Sequence, residues 1–354
     1  MNTFGRTLRL ISFGESHGPA IGGVLDGFPA GLDLDLQQVQ QALDYRNPSQ
    51  AAIGSGRRET DQVEFLSGIW QGKSLGTPIA FFIRNRDARL EDYAVLEHAF
   101  RPGHADDTWL AKYGIRDYRG GGRASARETV ARVVGGALAR QLLFPMGIRI
   151  YAYACQIGSV RLEKSFAQID ADHVYSYQSR CPDPDTDEAM LSHMQEVRLS
   201  GDSIGGVVEC RVAGMPKGLG EPVYDKLTAR LAMAMLGINA ARAFEVGQGF
   251  AAAGMRGSEH DDTWLPDGTT ANNMSGGIRG GISTGEDVLF RVAFKPIPTI
   301  SRSQMYLTDD GRLQEASMAG RHDVCCVPRA VSIVESMTAL VLADMYLLNR
   351  CSRV

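Results

Sequence analysis

The chain has 354 residues, with 37 basic and 41 acidic side chains for a net charge of −4, and is 44% hydrophobic and 22% charged. That composition excludes a disordered chain and disfavours nucleic-acid or membrane-surface partners, whose binders are more often basic. The length suits one large domain or two, each able to bury a full core. The six cysteines (Cys155, Cys181, Cys210, Cys325, Cys326 and Cys351) form no C-x-x-C pair and no zinc spacing, so they read as reduced thiols in a cytoplasm, with no metal. Residues 1–11 alternate polar and apolar side chains and hold no signal run.

In chain order, residues 7–12 and 21–25 predict strands, Phe28-Pro29-Ala30-Gly31 a turn, and Leu36, Val39 and Leu43 a helix with Asp35 as its N-cap. Between the first two strands lies Phe13-Gly14-Glu15-Ser16-His17-Gly18, which presents a hydroxyl and an imidazole between glycines. Neighbours on a chain rarely adopt nucleophile–base geometry, and the G-x-S-x-G elbow is absent, so a proton donor beside a leaving group fits better than a hydrolase. The competing reading is a tight turn with a satisfied histidine.

A second cluster, Phe100-Arg101-Pro102-Gly103-His104-Ala105-Asp106, sets a histidine beside an arginine before a helix at 105–112; taken alone it reads equally well as a capping loop. The third, Tyr118-Arg119-Gly120-Gly121-Gly122-Arg123-Ala124-Ser125-Ala126-Arg127-Glu128, runs a triple-glycine loop into a helix whose apolar stripe is Val130, Val133, Val134, Ala137, Leu138 and Leu142. Ser125 and Glu128 predict a capping box. Three arginines at a glycine-rich helix start predict a phosphate or carboxylate site. Residues 162–187 predict a polar surface excursion.

The second half repeats an early pattern. Ile204-Gly205-Gly206-Val207 followed by Met215-Pro216-Lys217-Gly218-Leu219 echoes Ile21-Gly22-Gly23-Val24 followed by Phe28-Pro29-Ala30-Gly31-Leu32, and a helix at 225–236 follows, which suggests an internal duplication. Strands and helices alternate too irregularly for a doubly wound sheet, and no G-x-G-x-x-G follows the first strand, which disfavours a dinucleotide-binding fold. Asn239-Ala240-Ala241-Arg242, the glycine-rich run 275–281 and a strand ending Phe294-Lys295-Pro296-Ile297-Pro298-Thr299 come next. The fourth cluster, Gly320-Arg321-His322-Asp323, precedes a buried C-terminal helix from Pro328, whose Arg329, Glu335 and Asp344 speak against a membrane span. These residues alone point to an enzyme acting on a multiply anionic, phosphate-bearing small molecule with histidine acids. They do not specify a reaction.

Together the four clusters and Gly201-Asp202-Ser203-Ile204-Gly205-Gly206, in register over residues 4–347, resemble the chorismate synthase family. The resemblance implies a single domain over 1–354, with an α/β (α+β) sandwich fold and a pseudo-symmetric, internally duplicated core, assembled as a cytoplasmic homotetramer. It implies a 1,4-anti elimination of phosphate from 5-enolpyruvylshikimate 3-phosphate to give chorismate, the last step of the shikimate pathway, with reduced FMN and no net redox change. His17, with Ser16 beside it, matches the acid at the departing phosphate. His104 matches the histidine at the flavin's N1 and O2 edge, Asp323 the carboxylate beside N5, and Ser125 its working partner. FMN contacts are implied for Arg123, Ala124, Ser125, Asn239, Ala240, Gly280, Lys295, Pro296, Ile297, Pro298, Thr299 and Arg321. Substrate anions are implied for Arg46, Arg58, Arg101, Arg127 and Arg321. The loop at 44–52 departs from many relatives: Arg46 is its sole arginine and Ala52 stands where a second is common, which argues against an NADPH contact there. NADPH is a candidate reductant for the flavin. The rival reading, an FMN-binding NADPH-dependent flavin reductase, would need a nicotinamide site of which the sequence shows no signature.

Overall fold

The computed structural model of the chain describes residues 2–47, 61–85, 96–317 and 323–353. The first half runs β1 (Thr3–Phe4), β2 (Arg9–Phe13), β3 (Ala20–Asp26), α1 (Leu36–Arg46), β4 (Val63–Phe65), a hairpin of β5 (Ile69–Trp70) and β6 (Lys73–Ser74), and β7 (Ile79–Arg84). It ends with β8 (Ala99–Phe100), α2 (Asp106–Tyr113) and α3 (Thr129–Leu143). The second half runs β9 (Arg149–Ile157), β10 (Val160–Arg161), α4 (Pro184–Leu199), β11 (Gly206–Ala213), α5 (Leu227–Leu236) and β12 (Ala241–Val246). A hairpin of β13 (Ile278–Arg279) and β14 (Ile282–Ser283) follows, then β15 (Val288–Phe294), β16 (Gln304–Thr308), β17 (Leu313–Ala316) and α6 (Val327–Asn349).

Two five-stranded antiparallel sheets have the orders β1-β2-β3-β7-β4 and β10-β9-β11-β15-β12. Four strands of each correspond one to one, and each half places a helix (α1 or α5) between its second and third members of the set in chain order. The expected duplication is therefore real, and it extends further than the strand–turn–helix unit. The two hairpins also correspond, because Gly68-Ile69-Trp70-Gln71-Gly72-Lys73-Ser74 and Gly277-Ile278-Arg279-Gly280-Gly281-Ile282-Ser283 share G-I-x-x-G-x-S. Their serines make the same bonds: Ser74 Oγ donates to Pro29 O at 2.7 Å and accepts from Leu32 N at 3.0 Å. Ser283 Oγ donates to Pro216 O at 2.6 Å and accepts from Leu219 N at 2.9 Å.

The layers are sheet, helix, helix, sheet. α3 lies on β2 and β3, α6 on β9 and β11, and the two long helices pack on each other. The predicted stripe of α3 is buried throughout. The contact is close because Gly136 carries no side chain: a Cβ there would overlap the backbone of Ser336 on α6. One continuous apolar core spans both halves. α6 is long and apolar enough to cross a membrane, but most of it is buried inside the protein. Its Asp344, 1% exposed, accepts from the amides of Arg6, Thr7 and Leu8 at 2.9, 2.7 and 2.9 Å and from Arg230 at 3.2 Å. The last helix thereby fastens the first strands.

Asp35 caps α1 through the amides of Gln37 and Gln38, as its position predicts. Two expectations are corrected. The capping box does not close: Ser125 caps a 3-10 turn, Ala126–Glu128, by accepting from Arg127 N, while Glu128 pairs at 2.8 Å with Arg132 one turn into α3. The stretch 162–187 is not wholly superficial. Ser179, Arg180, Cys181 and Asp183 are buried, since Asp183 caps α4 at Thr186 and holds Lys164.

Candidate active site

Both long helices begin in the same region. Arg46, at the end of α1, shows it: Nε donates to Thr129 Oγ1 at 2.8 Å and Nη2 to Ala126 O at 2.9 Å, at the start of α3. Its pKa is pushed down to about 9 by burial and then by the neighbouring charge of Arg329, in the first turn of α6. At neutral pH it remains a cation. Two helix N-termini and several guanidinium groups make an electropositive corner in an acidic protein, a setting for anions.

On one side of this corner sits the turn 14–18. Gly14 has φ +90°, and a side chain there would run into the carbonyl of Ala20, so the chain leaves β2 through a bend that only glycine adopts readily. The turn closes with Gly18 N on Glu15 O at 3.1 Å. Ser16 Oγ and His17 Nδ1 come within 3.0 Å, contrary to the expectation that adjacent residues would not pair. The glycine-rich loop leans on the imidazole: Gly120 has φ +85°, and a Cβ there would overlap the His17 ring. Ser16 N reaches Gly122 O at 3.4 Å.

The three arginines of this loop diverge. Arg119 forks onto Asp117, with two bonds of 2.8 Å; those hydrogen bonds hold the Asp117 carboxyl below its usual range, with the His17 charge adding to the effect. Arg123 turns back to Ser12 Oγ at 2.7 Å and Gly14 O at 3.3 Å. Arg127 lies between Asp61 Oδ1 and Asn85 Oδ1, each at 2.8 Å. Asp61, 2% exposed, also meets Arg46 at 3.3 Å. Asn85 donates from Nδ2 to Glu15 O at 3.1 Å and to Gly18 O at 2.7 Å. Sequence reasoning missed Asp61, Asn85 and Asp117, and no motif marks them. The structure also revises Arg46, which is 2% exposed and braces the start of α3 from inside rather than facing a ligand.

The opposite side is built from the second cluster and residues 295–299. Arg101 forms a bidentate pair with Asp106 through Nε at 2.9 Å and Nη2 at 2.8 Å, so its guanidinium closes its own loop. Burial would raise the Asp106 carboxyl, but the Arg101 hydrogen bonds and charge outweigh it and hold the pKa low. His104 Nε2 meets Thr299 Oγ1 at 2.6 Å, and Lys295 Nζ donates to Gly103 O at 2.9 Å. Burial, and the nearby Arg242, lower the Lys295 pKa. Behind this strand end, Ser203 Oγ donates to Ile297 O at 2.6 Å and Ile204 N to Val324 O at 2.8 Å. The Gly201–Gly206 motif thus ties residues 295–299 to the loop of Asp323. Asp323 does not cap α6; it pairs with Arg329.

Asn239 joins the two sides, donating from Nδ2 to Ala124 O at 2.9 Å. Its Oδ1 is enclosed without a hydrogen-bond partner among the described residues, and the next residue, Ala240, has φ +67°. An enclosed orphan acceptor beside a left-handed alanine is costly in both respects, a pattern found where backbone is shaped for a ligand. Gly280 turns the β13–β14 hairpin, which meets the start of α5 where Leu227 N donates to Gly281 O at 2.8 Å. Arg58 and Arg321 lie outside the described residues.

The sequence profile described as chorismate synthase matches residues 8–347. A chorismate synthase of Christiangramia forsetii is 51% identical over 353 residues, covering 100% of this chain and 99% of that one. One from Porphyromonas gingivalis is 52% identical over 358 residues, covering 100% and 97%. A crystal structure of a chorismate synthase superposes with a TM-score of 0.76 at 33% identity, covering 98% of this chain and 93% of that one.

Proposed function

The chain belongs to the chorismate synthase family, and on that premise we propose how its own residues carry the family's reaction. It is a lyase of aromatic amino-acid biosynthesis that releases phosphate from 5-enolpyruvylshikimate 3-phosphate to form chorismate. The observation that carries the reading is the corner where α3 and α6 begin, with His17, His104 and Asp323 arrayed around it. A substrate with two carboxylates and a phosphate matches that concentration of positive charge.

His17 holds the proton that the departing phosphate needs, oriented by Ser16 and kept in place by Gly120. Arg127 meets a substrate anion from the start of α3. Arg46 and Arg101 act from behind, the first bracing the helix and the second closing the His104 loop. Arg58 and Arg321 complete the anion contacts in this proposal.

Reduced FMN fits the residues present. Asn239 Oδ1 awaits a donor, and the flavin offers N–H and ribityl O–H groups. Lys295, Arg123 and the backbone of residues 122–125 offer charge and donors for a phosphate and an anionic ring. When bound, reduced FMN supplies electron density for phosphate loss and takes up the hydrogen from C6, with no net redox change. His104, set by Thr299, would hold the flavin's N1 and O2 edge, with Pro296, Ile297 and Pro298 as its wall and Ala124 and Ala240 lining it. Asp323, oriented by Arg329, would hold a proton near N5, with Ser125 close by. We also place the enzyme in the cytoplasm, in keeping with its six free thiols, as one domain in a homotetramer. Exposed apolar side chains such as Ile11, Phe13 and Trp70 are candidates for burial in that assembly.

The test is anaerobic. Chorismate should form from 5-enolpyruvylshikimate 3-phosphate with chemically reduced FMN, and NADPH with catalytic FMN should not sustain turnover. Equal rates with oxidised FMN under air would overturn the cofactor assignment, and steady turnover on NADPH alone would make the chain bifunctional.

A further inference from the structure

Asn85 directly follows β7 and is not part of any cluster marked by sequence, yet all of its amide is used. Oδ1 accepts from Arg127 Nε at 2.8 Å, while Nδ2 donates to the carbonyls of Glu15 and Gly18 at 3.1 and 2.7 Å. Its backbone N adds a bond to Pro19 O at 3.1 Å. The two carbonyls bracket Ser16 and His17. One planar side chain therefore links the turn that carries the acid to the arginine at the start of α3. Asp61 holds the far side of the same guanidinium at 2.8 Å, so Arg127 is fixed from two directions.

We propose that Asn85 is a positioning residue for the elimination: it sets the His17 turn and the Arg127 guanidinium in one frame, so that acid and anion-binding group address the same phosphate-bearing substrate. This rests on the roles given above to His17 and Arg127. The amide is required because the two jobs are of opposite polarity. A carboxylate keeps the acceptor for Arg127 but turns an oxygen against two carbonyl oxygens, and an alkyl group serves neither partner. A displacement of about 1 Å between such groups can cost on the order of 10²-fold in rate.

The experiment is a double-mutant cycle in anaerobic steady-state turnover with chemically reduced FMN, using Asn85→Asp, Asn85→Ala and His17→Ala. In the His17 background, Asn85→Asp should lower kcat about 10- to 10²-fold while KM stays within about threefold, since Arg127 keeps its acceptor. Asn85→Ala should lower kcat similarly and raise KM about tenfold. In the His17→Ala background, Asn85→Asp should change kcat by less than about twofold, because the group it positions is gone. An equal further loss in that background would overturn the proposal and make Asn85 merely structural, as would wild-type kinetics in both Asn85 variants. Asn85→Ala carries the same cycle if the Asp variant does not fold. An inactive wild-type protein in the same assay would instead refute the functional reading.

Discussion

His17 owes its setting to glycines that precede it and lie across from it. Gly120→Ala should displace the imidazole, because φ +85° and the overlap with the ring leave a methyl group nowhere to go. We expect the folded protein to lose activity nearly as far as His17→Ala does, with flavin binding retained. His17→Ala itself should slow phosphate release by about 10- to 10³-fold, the scale of one general acid; rapid-quench phosphate measurement checks both. Asp323→Asn keeps shape and removes charge, and should cut turnover while the ternary complex still forms. Near-wild-type stopped-flow rates would reduce Asp323 to the partner of Arg329. The histidines were legible in sequence because glycine and a titratable side chain stood together. Asp61 and Asn85 were not, since a lone Asp or Asn after a loop or strand looks like any turn residue, and only the fold brings them to Arg127.

Periodicity read the helices well. Asp35, the stripe of α3 and the start of α6 near Pro328 all follow from local rules of capping and apolar spacing. The start of α3 did not follow, because Arg46 occupies Ala126 O and Thr129 from another element and the chain enters through 3-10 turns instead. Where α3 crosses α6, Gly136→Val should destabilise the protein by about 1–3 kcal/mol through overpacking, read by urea unfolding. The loop clamp gives a pH test. The carboxyl of Asp106 has a folded pKa below its unfolded value of about 3.8. Its contribution is complete above that pH and fades as pH falls through the lowered folded value. Asp106→Asn should therefore flatten the acid side of a melting-temperature profile.

At the scale of the whole molecule, the repeat was half visible. The strand and Pro-x-Gly turn suggested it, and the shared G-I-x-x-G-x-S of the two hairpins completes it, although the sheet order itself depends on pairings distant in sequence. The symmetry is of the frame alone: Ser74 and Ser283 do the same work, while His17 and Arg127 belong only to the first half. The bond between Asp344 and residues 6–8 has a consequence for biosynthesis. Residues 6–8 are secured by a carboxylate 336 to 338 residues further along, so the native state closes only after α6 has been made. Until then the faces of α3 and the second sheet that α6 will cover stay wet and adhesive, as does α6 itself. A chain truncated just before residue 327 lacks α6, and its product should be found in the insoluble fraction.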